Sequence, residues 1–231
     1  MSIENRSNIA GETVPSPAEP ARDCALCPRL VAYRHENQAL FPDWFNGPAP
    51  SFGDARARLL VVGLAPGRKG ANRTGRPFTG DYAGALLYET LIKFGFATGR
   101  FEARPDDSLT LLGCAVTNAV RCAPPGNKPE TSEEIACRPF LTQRIEAFPE
   151  LSAIVTLGDV ARRSVLKALG LKASDGIPGH GSEFQAGRYR VFNSYHCSRL
   201  NTNTGRLTTP MFEDLFARVR AYVDAAGVPD R

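Results

Sequence analysis

The sequence predicts an α/β fold, a single domain with a central four-stranded parallel sheet flanked by helices on both faces. Three observations lead there. Short apolar runs bounded by Gly or Pro alternate along the chain with segments of helical period. The runs suit strands buried on both faces, as a helix-covered parallel sheet requires. Each polar, glycine-rich motif falls just after such a run, where open α/β sheets place their ligands.

Taken in order, residues 1–21 hold Pro15, Pro17 and Pro20 among Ser, Glu and Ala. They offer too few apolar side chains to pack and read as a disordered tail, leaving 22–231 as the folded domain. The four strands are expected at Arg58–Leu64, Leu109–Val120 (strand, then loop), Leu151–Leu157 and Tyr189–Tyr195. The clearest helices are Tyr82–Phe94, Ser132–Phe148 with Thr131 as N-cap, Asp159–Leu169 capped by Asp159, and Pro210–Ala226 opened by its first-turn proline. No internal repeat is visible.

With 231 residues, 42% hydrophobic and 23% charged, the chain can bury one good core but not two large ones. No apolar stretch is long enough to span a bilayer, and 1–21 lack the apolar centre of a secretory signal. A cytoplasmic protein without membrane association is therefore expected. The net charge of +4 leans toward a polyanionic partner but is spread along the chain. Arginine outnumbers lysine, which suits phosphate contacts but is equally the mark of a GC-rich genome.

Six cysteines in a reducing compartment read as thiols and metal ligands rather than disulfides. Cys24 and Cys27 form a CxxC; Cys122 and Cys137 flank a Pro/Gly loop, CAPPGNKPETSEEIAC. Four thiolates suit zinc or an iron-sulfur cluster equally on ligand count. The CxxC does not sit between a strand and a helix, as a redox pair would. Cys114, inside an apolar strand, reads as core packing, and Cys197 as a neighbour of the site that takes no part in it.

The first strand runs into Gly63–Asp81, GLAPGRKGANRTGRPFTGD. The Gly-Lys-Ser/Thr of a phosphate loop is missing, and the glycines miss GxGxxG spacing. What remains is a basic, Gly-rich loop whose backbone can approach a flat ligand or a phosphate. Phe78 within it either anchors the loop to the core or serves as a stacking platform. Asn118, ending the second strand, is a turn former or an amide able to read a base edge. His196 heads the loop HCSRLNTNTGRLT after the last strand, a better place for a functional imidazole than for a structural one.

These pieces, in this order, resemble the iron-sulfur members of the uracil-DNA glycosylase superfamily. The resemblance runs from about Cys24 to Leu215 and rests on GLAPG, GRPFTGD, TNAVRCAPP, the paired cysteines and the histidine-headed loop. GLAPGRKGANRTGRPFTGD and HCSRLNTNTGRLT look like the fifth, broad-specificity type. The strictly uracil-directed fourth type, which is the alternative, carries an acid where this chain has Leu64.

The resemblance implies a uracil-DNA glycosylase-like fold and a structural 4Fe-4S cluster on Cys24, Cys27, Cys122 and Cys137. It also implies hydrolysis of the N-glycosidic bond of a flipped deaminated base, in double- or single-stranded DNA, by a monomer. Uracil, hypoxanthine and xanthine are the expected bases. Gly63, Ala65, Pro66, Gly67, Phe78 and Asn118 would hold the base, and His196 would donate to it as it leaves. Leu64, Ala65 and Pro66 supply no polar side chain for the water, so Asp81 is the carboxylate expected to polarise it and steady the sugar cation. As an alternative, Asp81 is the N-cap of the following helix. Arg73, Arg199 and Arg206 would hold phosphates, and Leu200 would fill the vacated stack. A lesion-binding protein that does not cut is the other class of reading, supported only by the acid missing from GLAPG.

Overall fold

The computed structural model describes residues 19–226, so most of the expected tail lies outside the described residues. In chain order the elements begin with α1 (Pro28–Leu40), β1 (Phe52–Gly53), β2 (Leu59–Gly63), α2 (Ala71–Thr74), α3 (Tyr82–Lys93), β3 (Ala97–Thr98), β4 (Thr110–Leu111) and β5 (Cys114–Asn118). There follow α4 (Thr131–Glu146), β6 (Ala153–Leu157), α5 (Asp159–Ala168), β7 (Glu183–Ala186), β8 (Tyr189–Ser194), α6 (Arg199–Asn203) and α7 (Thr209–Ala225).

The sheet order is β1-β5-β2-β6-β8-β7. Its four inner strands are the four expected, all parallel, with Val61 beside both Val116 and Val155 and Ile154 beside Val191. The antiparallel edges β1 and β7 extend it to six, and β3 with β4 makes a separate two-stranded ribbon. Every position of β2, β5 and β6 is buried, the consequence of helices on both faces.

Alternation within those strands divides the core. Leu59, Val61, Val116, Val155 and Phe192 pack with Leu87 and Leu91 of α3 and Phe212, Leu215, Phe216 and Val219 of α7. Leu60, Val62, Ala115, Ile154 and Val191 face the other way, onto Leu141 and Ile145 of α4 and Ala161 and Val165 of α5. Each such side chain, fully buried, contributes about 1.5–3 kcal/mol. Among the described residues no helix is long and apolar enough to cross a membrane.

Several boundaries differ from expectation. Thr131 is the first residue of α4 rather than its cap; Glu130 takes that place, its N–H donating to the Glu133 carboxylate at 2.8 Å. Gly158, at φ +95°, precedes α5, so Asp159 opens the helix, where its charge suits the N-terminal dipole and pairs with Arg162 and Arg163. Thr208 caps α7, accepting from the Met211 amide, and Pro210 fills its first turn as expected.

Glu19, placed by sequence in the tail, reaches into the domain. Its carboxylate meets Arg121 at 2.5 Å and Arg144 at 2.7 Å, both among the most deeply buried side chains described. Charge, not apolar surface, ties this segment down, which is why a reading of apolar content misses it.

Candidate active site

The parallel strands all end at one edge, and the register aligns Gly63 at the end of β2 with Asn118 at the end of β5. β8 delivers His196 to the same edge, two residues beyond its last hydrogen-bonded position. A cavity of about 720 Å³ opens there. The loop from Leu64 to Gly70 lines it together with Phe78, Asp81, Asn118 and His196, and Arg199 and Leu200 line it too.

Phe78 is buried at φ +52°, an unfavourable conformation for a bulky residue. Its neighbours impose it. Tyr88 Oη donates to Pro77 O at 2.6 Å, and Arg76, held by both oxygens of the buried Asp107 at 2.7 Å, also donates to Thr79 Oγ1. Gly84 lets α3 approach closely enough that any Cβ there would collide with Phe78 O. The ring so fixed lies 6.1 Å from the His196 ring, the planes 28° apart.

Gly63 lies behind the cavity rather than in its lining. A Cβ on it would fall 2.5 Å from both Asn118 Oδ1 and Phe78 Cζ, so its bareness lets the amide and the ring stand side by side. Asn118 is buried at the strand end. His196 is also largely buried, which lowers its pKa and keeps the imidazole neutral, able to donate without carrying charge. Asn201 Nδ2 anchors the His196 carbonyl at 2.7 Å.

Asp81 occupies the N-cap position of α3, yet its side chain makes no capping hydrogen bond. Its Oδ1 is buried with no hydrogen-bond partner among the described residues, and Oδ2 lies against the bare backbone of Gly67 and Gly70. Burial raises its pKa, and the facing amides of Gly84 and Ala83 pull the other way. Those amides favour the charged form, as they would at a helix cap, while Oδ1 keeps no partner among the described residues.

Ala65, Pro66 and Gly67 line the cavity. Arg206 stacks over Tyr195 at 4.6 Å and lines an adjoining cavity that also touches His196. Arg73 does not join them; it lines a separate groove with Asp43, Phe45 and Arg104, because α2 turns it away from the strand ends. Tyr82, Asn127, Arg68 and Lys69 also face the cavity. Of these, Asn127 had only the Pro/Gly loop between Cys122 and Cys137 as a signal, and Tyr82 had none beyond its place after Asp81.

A second, far smaller cavity, about 20 Å³, is lined by Cys24, Cys27, Cys122 and Cys137 together with Pro20, Leu30 and Phe140. Burial pushes the Cys122 thiol up to about 12 and that of Cys137 up to about 11, raises that of Cys27, and the neighbouring sulfurs add to the rise at these three. Two donors point at this sulfur set, the Arg121 amide at Cys137 Sγ (3.3 Å) and the Arg34 guanidinium at Cys122 Sγ (3.9 Å). Among the described residues no three Cys, His, Asp or Glu side chains converge as a single metal ion requires. Cys114 is core, as expected, and Cys197 is fully buried behind α3, its thiol donating to Ala83 O at 3.5 Å and pushed up to about 12.

Fold and site together define an α/β enzyme whose pocket, floored by an aromatic ring, sets an amide, a neutral imidazole and a free carboxylate around one ligand. The chain belongs to the uracil DNA glycosylase superfamily, whose family model matches residues 50–220. It is 44% identical over 204 residues to a type-5 uracil-DNA glycosylase of Thermus thermophilus, covering 85% of this chain and 92% of that one. A type-5 uracil-DNA glycosylase of Pyrobaculum aerophilum is 41% identical over 203 residues, covering 86% and 88%. Likeness to a type-4 uracil-DNA glycosylase of the same organism is lower, 30% over 153 residues, covering 66% of this chain and 64% of that one.

Proposed function

We propose that this protein is a DNA-repair glycosylase that draws a deaminated base, uracil foremost, out of DNA and hydrolyses its N-glycosidic bond to leave an abasic site. The observation that carries this reading is the buried, unpartnered Oδ1 of Asp81 in the same cavity as Phe78, Asn118 and His196. Extruding the base costs a few kcal/mol, least where it is mispaired, and only an extruded base exposes its C1′–N bond. Phe78 stacks on the base, and Asn118 hydrogen-bonds its edge.

As the bond breaks, electrons pass to the base and positive charge gathers on the sugar. Neutral His196 donates a hydrogen bond to the leaving base, and the Asp81 carboxylate orients the water that adds to C1′ and accepts its proton. Leu64, where an acid would narrow the choice of base, leaves the pocket open to hypoxanthine and xanthine as well. Strand nicking after alkali treatment, on duplexes carrying each deaminated base, tests the reading; no nicking on uracil, in duplex or single strand, overturns it.

The four cysteine thiols lining the small cavity, with two N–H donors aimed at their sulfurs, would suit a 4Fe-4S cluster held by Cys24, Cys27, Cys122 and Cys137. The cluster would supply a cross-link between α1, the loop after β5 and α4. Hydrolysis needs no electron from it. The enzyme acts as a monomer in the cytoplasm, on double- or single-stranded DNA, its phosphates met by Arg199 and Arg206 with Leu200 in the vacated stack.

A further inference from the structure

Tyr82 is half exposed, although it opens a helix whose next residues, Ala83 and Gly84, are buried. Its ring lines the mouth of the cavity, and its hydroxyl makes no hydrogen bond among the described residues. A Tyr in a core or at a helix start ordinarily gains from burying its ring or bonding its hydroxyl; this one does little of either. The Arg199 guanidinium lies over the ring, 5.9 Å from its centre, and the next residue, Leu200, is the most exposed large apolar side chain described.

An aromatic, a cation and an aliphatic side chain, drawn from α3 and α6, thus meet at the rim of a pocket whose interior already holds its own stacking ring. An extruded base already has the buried Phe78 to stack on, which leaves the exposed rim free for other contacts. The rim faces what surrounds that base. Aromatic faces hold nucleic-acid bases by stacking whatever their sequence, and a guanidinium over the ring adds a phosphate contact without releasing it.

We propose that Tyr82 is a positioning residue for base extrusion, stacking on the nucleotide that flanks the flipped one while Leu200 fills the vacated place. This rests on the glycosylase reading of the cavity. Arg199 fastens the two rim residues to each other, so the mouth engages the duplex as one surface. A single strand has no pairing and far less stacking to open, so the role weighs most in duplex DNA.

Three proteins, wild type, Tyr82→Ala and Tyr82→Phe, are compared in single-turnover base release on uracil in duplex and in single-stranded DNA. In parallel, a 2-aminopurine next to the uracil is followed, since it brightens when its neighbour leaves the stack, whether or not the bond is cut. Loss of one base–aromatic stack predicts that Tyr82→Ala slows the duplex reaction on the order of tenfold and dims the fluorescence change. The single-strand rate should stay within about twofold, and Tyr82→Phe should restore both duplex readouts. Equal loss on both substrates, failure of Phe to rescue, or an undiminished fluorescence change would overturn the proposal. A wild type that brightens the probe without cutting either substrate would overturn the glycosylase reading and leave the rim's role supported.

Discussion

The base pocket and the cysteine cavity hang from one short length of chain, Asn118 to Cys122, and are opposite kinds of space. One is about 720 Å³, wide, and keeps the polar oxygen of Asp81 unsatisfied. The other is about 20 Å³, walled by Leu30, Val31 and Phe140, and has amide and guanidinium donors directed at its sulfurs. The first leaves a polar oxygen unbonded, where on the proposed reading a water and a base would complete its bonding; the second is bonded within the protein. The contrast predicts that substitutions in the pocket stop chemistry and spare the fold, while those around the sulfurs do the reverse.

The largest effect should come from Asp81→Asn. Removing a charge aimed at the transition state costs about 10²–10³ in single-turnover rate. Because burial raises the folded pKa of Asp81, whatever stability the group contributes is complete below its unfolded value and lost as pH rises through the folded one. At neutral pH the ionised group therefore works against the fold. The variant's melting temperature should match or exceed that of wild type there, as a thermal melt beside a rate measurement will show. The wild-type rate should fall on the acid side at a pH above the usual carboxylate range, a limb that the variant should lack; a wild-type limb at an ordinary carboxylate pH would undo the assignment.

Next in size is Cys137→Ala, which should bleach the brown colour of protein made with iron available and lower its melting temperature by several degrees. Bond cleavage per folded molecule should suffer far less than in Asp81→Asn. A colourless wild type, fully active with one zinc, would sink the cluster.

Glu19→Gln should cost about 3 kcal/mol in urea unfolding, since two buried guanidiniums then share no carboxylate. Rate per folded molecule should not change. Smallest are the rim cations. Arg199→Ala and Arg206→Ala should each flatten the slope of log affinity against log salt by about 0.9, and Arg73→Ala, in its separate groove, by clearly less.

The inner sheet was legible because buried parallel strands announce themselves as apolar runs, and β2, β5, β6 and β8 all fall inside the expected segments. The edges β1 and β7 were not, being brief or only partly buried, with no apolar run to mark them. Helix α1, with few buried residues, carries no periodic apolar face either. In the site, Asn118 and His196 stood out as polar side chains at or just past strand ends, and Phe78 as an aromatic within a Gly-rich loop. The cap-or-catalyst question at Asp81 had no sequence answer, because a cap and a free carboxylate use the same residue in the same place. Which arginine faces which groove depends on the turn of α2 and α6, and local pattern does not encode it.

The alignment of Gly63 with Asn118 also fixes when, during the protein's making, it can touch DNA. The pocket's lining lies at residues 64–83, 118, 127 and 196–200, and the strands that carry it pair across long stretches, Leu59 with Ala153 among them. Such pairings close slowly, since chain entropy must be given up before any contact forms. A ribosome that has released β2 and β5 has made half a pocket without its imidazole, and β8 cannot dock until the stretch beyond it is free. On the proposed roles, the growing chain lacks its imidazole, and so the complete pocket, until residue 196 has been made.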